Sequence, residues 1–327
     1  MNKRRKLIVA LGASALVSPL SSFAQPAKKV WRIGFLGSEF AAGYGSNLEA
    51  LRAGLRDLGY AEGKNIAIES RWAEGKYERL PDLAAELVRL KVDVIVTHGT
   101  PGTRAAKLAT TTIPIVIATS GDPVAMGLVA SLARPGGNVT GSATFTTELM
   151  AKRLELLKEA VPRIKLVAVL ANALNPSRVV DSQEMETAAK ALKMGLHRFE
   201  VRGPDDFERA FSALAKTRVD AIVVHQDGML NANSAAIAAL AASQRLPSAG
   251  FKEFGESGGL IGYGANFLEL YRHAAVFIDK ILKGAKPLDI PVERATKFEL
   301  VVNMKTAKAL GITIPNSILL RADKVIE

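Results

Sequence analysis

Six polar side chains and two aromatic ones fall just past the ends of apolar runs, the positions from which an α/β sheet touches a small molecule. Ser38 and Tyr44 follow the first run, Thr100 the third, and Ser120 and Asp122 the fourth; Asn172, Asp227 and Phe251 follow the matching runs of a second series. Hydroxyls donate and accept, carboxylates accept or pair with a cation, and aromatic rings supply flat apolar surface. Such a set can hold a solute. It cannot break a bond, because no nucleophile in it stands beside a base. For each residue the competing role is a turn or helix cap, and Asp122, followed by Pro123, suits an N-cap.

Motifs that would carry covalent or phosphate chemistry do not hold up. Gly255-Glu256-Ser257-Gly258-Gly259 spells G-x-S-x-G, but a nucleophile elbow needs a strand before it, a helix after it, and then an acid and a histidine in that order. Here a strand is expected after the motif, and His273, the only later histidine, precedes every later aspartate. Gly34, Gly37, Gly43 and Gly45 do not form G-x-G-x-x-G, and no Walker A sequence occurs. His98 and His225 each end a strand without a second ligand at metal spacing, so both read as hydrogen-bonded strand-end histidines. No catalytic residue, metal or cofactor is expected.

The elements that must position the eight residues alternate along the chain. Residues 113–118 are continuously apolar, as a parallel strand buried on both faces requires, and end in Thr119-Ser120-Gly121-Asp122-Pro123. A helix is expected after Asp122, stopping at Arg134-Pro135-Gly136-Gly137-Asn138, with a strand from Val139. Earlier strands are expected at 30–37, 65–69 and 93–97. Leu48, Leu51, Leu55 and Leu58, then Leu80, Leu83, Leu87 and Leu90, repeat a 3-4-3 spacing that gives each intervening helix one apolar face. A second series has strands at 166–171, 198–201, 221–225, 247–251 and 259–264. It ends in a long helix carrying Leu268, Tyr271, Ala275, Ile278 and Leu282 on one face. Alternation of this kind calls for α/β lobes, parallel sheets flanked by helices. Leu87-x4-Val92-Asp93-x-Ile95-Val96-x-His98 recurs as Leu214-x4-Val219-Asp220-x-Ile222-Val223-x-His225. A βαβ unit is therefore duplicated, and two similar Rossmann-like lobes are expected. The loops after the paired strands, 99–103 and 226–230, would then face each other across a cleft.

Lys3-Arg4-Arg5-Lys6, an apolar stretch at 7–17 and Ser22-Phe23-Ala24 make a secretory signal peptide over 1–24, cleaved before Gln25. The apolar stretch is shorter than the ~20 residues of a spanning helix, and Arg4-Arg5 leaves a twin-arginine export route open. The chain contains no cysteine, so disulfides, thiol chemistry and a lipidated anchor are excluded. Of the formal charge of +11, four charges belong to the signal, leaving +7, and these are interspersed with acids, as in Lys152-Arg153-Leu154-Glu155. That pattern is an ordinary solvated surface rather than a nucleic-acid footprint. A free periplasmic monomer is expected.

Gly121-Asp122-Pro123-Val124, residues 127–132 and residues 134–141 carry a resemblance that extends over nearly all of the mature chain. KRLELLKEAV at 152–161, KILKG at 280–284, FELVVN at 298–303 and KTAKALG at 305–311 share in it. The chain resembles a periplasmic substrate-binding protein of an ABC importer, with the type I periplasmic-binding-protein fold. Within that class it is similar to a largely uncharacterised group bearing a GDPV…RPGGNVTG segment. It departs from the group at His225-Gln226-Asp227-Gly228-Met229, where a more aromatic loop is usual, and at Asn172-Ala173-Leu174-Asn175-Pro176, which lacks one proline. Both are cleft loops of the second lobe and bear on the ligand rather than the fold.

The resemblance implies two lobes joined by a multi-strand hinge, with 145–147 as one hinge segment. Lobe 1 would comprise 29–144 plus about 268–303, and lobe 2 148–266 plus about 304–327. It also implies capture of a small-molecule ligand by hinge closure and delivery to an ABC permease and its ATPase, with no nucleic acid and no membrane anchor. Similar proteins bind amino acids, often apolar or aromatic. An amino acid is accordingly expected, its carboxylate on the Thr100 and Ser120 hydroxyls and backbone N–H groups, its ammonium on Asp122 or Asp227. Two rivals are a ligand-sensing regulator core, which would need a DNA-binding segment where the signal stands, and a secreted α/β enzyme, for which no catalytic constellation is present.

Overall fold

The computed structural model describes residues 29–327; the expected signal peptide, 1–24, lies outside the described residues. Strands and helices alternate from the start: β1 (Trp31–Gly37), α1 (Gly45–Asp57), β2 (Ile66–Trp72), α2 (Leu80–Arg89), β3 (Val94–His98), α3 (Gly99–Ala109), β4 (Ile115–Ser120) and β5 (Val139–Ala143). The second series is α4 (Thr146–Ala160), β6 (Leu166–Asn172), α5 (Ser177–Ala191), β7 (Gly195–Val201), α6 (Phe207–Thr217), β8 (Ala221–Val224), α7 (Gly228–Ala232), α8 (Ser234–Ser243), β9 (Ser248–Gly250), α9 (Lys252–Glu256) and β10 (Ile261–Ala265). The chain ends with α10 (Phe267–Leu282), β11 (Glu293–Arg294), β12 (Phe298–Asn303), α11 (Met304–Leu310), α12 (Asn316–Leu319) and β13 (Lys324–Ile326).

Among the described residues these strands form two sheets, ordered β11-β5-β4-β3-β1-β2 and β13-β12-β10-β9-β8-β6-β7. Every pairing is parallel except β10 with β12. β3 and β4 are buried at every position, as their unbroken apolar runs require of interior parallel strands. The duplicated segments take equivalent places: β3 lies between β4 and β1, β8 between β9 and β6. The fold is thus α/β, with helices flanking parallel sheets in two lobes.

Helix α10 returns to the first sheet. Its Tyr271, Ala275, Ile278 and Leu282 pack with Leu48, Leu51 and Leu55 of α1 and with Ile33 and Phe35 of β1 in one cluster, while Leu268 stays 45% exposed. The later crossover differs from expectation. The resemblance implies lobe 1 for residues 298–303, but β12 pairs in register with β10, Val302 opposite Ile261, and so belongs to the second sheet. The chain therefore crosses three times: at Thr144-Phe145 after β5, at Asn266 before α10, and over residues 295–297. At the first crossing Phe145 takes a left-handed φ of 50°, unusual for a bulky side chain. The Arg294 guanidinium covers its ring at 4.0 Å and pairs with Glu148 at 2.8 Å.

No helix follows Asp122. Its carboxylate accepts from the Val124 and Ala125 N–H groups, both at 2.9 Å, as a cap does. The turn is ended by Gly127, whose φ of +65° leaves the right-handed region. One turn closes and the chain runs on irregularly to β5. Gly255–Gly259 is no elbow either: the motif closes α9, β10 follows it, and the Ser257 hydroxyl donates to the Glu253 carbonyl. Among the described residues no helix is long and apolar enough to cross a membrane, and no acidic, histidine or cysteine cluster has metal-site geometry.

Candidate functional site

In the first sheet β1 pairs with β3, Leu36 opposite Thr97, so the loops leaving these strands begin side by side. That register brings Glu39 to His98. Glu39 Oε2 lies 2.6 Å from His98 Nε2, and His98 Nδ1 lies 2.6 Å from the Tyr271 hydroxyl, all three residues being buried. Burial, with Tyr44 and the Glu39 carboxylate nearby, pushes the Tyr271 pKa well above its ordinary value, so this hydroxyl keeps its proton. We assign the chain as Tyr271 O–H donating to Nδ1 and Nε2–H donating to Glu39. Tyr44 stacks on the imidazole with ring centroids 4.7 Å apart and planes 4° apart.

The second lobe answers with the loop after β8. Asp227 caps α7 through the Leu230 N–H at 3.2 Å. It also accepts from Asn172 Nδ2 at 3.1 Å, from Asn175 Nδ2 at 2.9 Å and, across the cleft, from the Tyr77 hydroxyl at 2.9 Å. Four donors leave this carboxylate little spare capacity. The Glu39 carboxylate differs, since His98 is its one hydrogen-bond partner among the described residues. Its second oxygen lies against Gly228, where an added Cβ would be 1.3 Å from Glu39 Oε1. The two lobes touch at this point only because residue 228 has no side chain.

Between the lobes lies a cavity of about 70 Å³. Of the residues singled out in the sequence, Ser38, Tyr44, Thr100, Ser120, Asp227 and Phe251 line it. Asn172 does not; it stands behind Asp227 and orients it. Asp122 does not line it either, its carboxylate being engaged by its own turn. Glu39, Tyr77 and Asn175 also line the cavity, as do His98, expected only as a hydrogen-bonded strand-end histidine, and Gln226, expected only as part of a cleft loop. The Ser38 and Ser120 hydroxyls, 2% and 3% exposed, have no hydrogen-bond partner among the described residues. Buried hydroxyls normally do. No lysine or arginine lines the cavity among the described residues. Beside it, the wholly buried Arg153 donates to the Tyr263 carbonyl at 2.8 Å and to Gln226 Oε1 at 2.7 Å. Burial lowers its pKa to about 9, so the guanidinium remains charged at neutral pH.

Residues 44–326 match the family described as ABC transporter substrate binding protein. The chain belongs to that family. This substrate binding protein is 29% identical over 259 residues to the tyrosine-binding protein of Clostridioides difficile (strain R20291), a match spanning 79% of this chain and 74% of the relative. Among solved structures it is similar to a domain from Streptococcus pneumoniae in complex with L-Trp, at a TM-score of 0.85 and 27% identity over 91% of this chain and all of that one. It is also similar to the ligand-free, open structure of a substrate binding protein with adhesive properties from Clostridium difficile, at a TM-score of 0.66 and 26% identity over 91% and 99% of the two chains. At nearly equal identity, the substrate binding protein superposes better on the ligand complex than on the open structure. In this chain Tyr77 meets Asp227 and Glu39 meets Gly228 across the cleft.

Proposed function

We infer that the protein captures a free amino acid, an aromatic one by preference, by closing its two lobes around it, and passes it to a membrane permease driven by an ATPase. The observation that carries this reading is the polarity of the cavity. Among the described residues two buried serine hydroxyls lack partners, and one oxygen of the buried Glu39 carboxylate accepts no hydrogen bond. With no lysine or arginine in the lining among the described residues, Glu39 suits the ligand's ammonium, while Ser120, Thr100 and the first-turn N–H groups of α3 suit its carboxylate. Tyr44, Tyr77, Phe251 and Phe267 supply apolar walls. Relatives described as tyrosine-binding and as an L-Trp complex support the choice of an aromatic side chain.

The test is a melting experiment on protein stripped of ligand by unfolding and refolding. At a concentration near a hundred times the dissociation constant, L-tyrosine or L-tryptophan should stabilise the protein by about 2.7 kcal/mol, or roughly 5–10 °C. If sugars or aromatic acids shift the melting point and no amino acid does, the reading is wrong.

The same reading puts the mature protein in the periplasm as a monomer beginning near Gln25. The basic stretch and short apolar stretch of residues 3–17 motivate this placement. N-terminal sequencing of an osmotic-shock fraction should return Gln25, and recovery only from membranes with residue 1 or 3 intact would contradict it.

A further inference from the structure

Arg153 is 0% exposed, yet among the described residues no carboxylate forms an ion pair with it. Its hydrogen-bond partners are neutral: a carbonyl, the Met150 sulfur at 3.1 Å and the Gln226 amide oxygen. The Glu253 and Asp181 carboxylates attract it through space without a hydrogen bond, so its N–H donors are left to these neutral groups. Thr146, Met150 and Arg153 share one face of α4 at i, i+4 and i+7. Thr146 lines the cavity beside Ser120 and Thr144, whose N–H and hydroxyl both bond the Ser120 carbonyl, at 2.7 and 2.8 Å. The buried cation thus stands two helical turns along α4 from Thr146 and meets the cavity lining through Gln226.

Arginine has donors only, so Gln226 must turn its oxygen to Arg153 and keep its two N–H donors on Nε2 free. Gln226 lines the cavity. The geometry points to Gln226 as the second lobe's donor to the ligand's carboxylate, with Arg153 as the positioning residue that fixes and polarises its amide. This rests on the amino-acid reading and refines it. The carboxylate is held from the first lobe by Ser120 and from the second by Gln226, and closure brings the second donor to it. The cleft thereby selects acids over the corresponding decarboxylated amines.

Calorimetry with L-tryptophan, L-tyrosine, tryptamine and tyramine tests it on the whole mature protein. The parent should prefer each amino acid to its amine. Gln226→Glu retains an oxygen for Arg153, and so its fold, but sets a negative group against the ligand's carboxylate. Its acid-over-amine preference should fall about tenfold to a hundredfold, with amine binding unchanged or tighter. Gln226→Leu and Arg153→Met should shift the preference the same way, and Arg153→Lys should restore part of it. If the variants lose acid and amine equally, or keep the parent's ratio, Gln226 and Arg153 are structural and the inference fails. If the parent binds L-tryptophan or L-tyrosine no better than the amines, the inference alone is overturned. If it binds none of the four probes, the amino-acid reading and the inference fall together.

Discussion

Glu39→Gln weakens binding of L-tyrosine or L-tryptophan about tenfold to a hundredfold in calorimetry while leaving the melting point of the ligand-free protein equal or higher; that is the expected result. The substitution keeps an oxygen for the His98 Nε2–H, now 2.6 Å from Glu39 Oε2, and removes only the charge. A hydrogen bond to a charged group contributes roughly 1.5–3 kcal/mol, which sets the range. The ligand-free protein should not suffer, because a buried carboxylate is itself a desolvation cost that the neutral amide relieves. A structural role for the charge would show the reverse pattern, a lowered melting point with affinity intact. Unchanged affinity would move the ammonium site away from Glu39.

The second large effect belongs to Gly228. An alanine methyl there would lie 1.3 Å from Glu39 Oε1 and 2.2 Å from its Cδ, so the closed cleft can form only if Glu39 leaves His98. Overpacking of this kind costs about 1–3 kcal/mol, so affinity should fall roughly fivefold to over a hundredfold, and further for valine. The open protein has no such clash and should melt as the parent does. Small-angle scattering separates the two states: the parent compacts with saturating ligand, and Gly228→Val should not. Gly228→Ala combined with Glu39→Ala removes the clash, and compaction should return although the charge is gone. Compaction of Gly228→Val like that of the parent would show that the two lobes do not meet there.

Much of the scaffold was legible because burial repeats on short periods. Leu48, Leu51 and Leu55 announced one face of α1, and the VDxIVxH repeat located an interior strand of each sheet. The helix expected after Asp122 failed because a side-chain cap and a proline describe one turn as well as a helix, and Gly127 ends it. The placement of residues 298–303 in the first lobe came from the resemblance, and nothing in the strand's own residues says which sheet it joins. The cleft was half legible. Strand-edge position found Ser38, Ser120 and Asp227, but Glu39 in a polar loop looks solvated until Tyr271, 173 residues beyond His98, closes over it. His98 read as a satisfied strand-end histidine and is one, on both nitrogens, while also lining the cavity. Arg153 sat within a charged helical segment with nothing local to mark it as buried.

The three crossings have a consequence for how the chain must acquire its shape. Neither lobe is a continuous stretch of sequence. The first sheet waits for α10, whose Tyr271, Phe277 and Ile278 fill its core, and for β11 at its edge. A growing or threading chain therefore cannot finish its N-terminal half until residue 294 has emerged, by which point most of the second half is already available to fold. Contacts spanning such distances, 219 residues for Tyr60 with Asp279, are slow to form because a long loop must be closed before they reward it. The His98–Glu39 pair gains its Tyr271 lid from the same late segment. Binding competence is thus among the last properties this chain acquires, and a product truncated before α10 would carry an uncovered apolar sheet face, a ready mark for proteolysis.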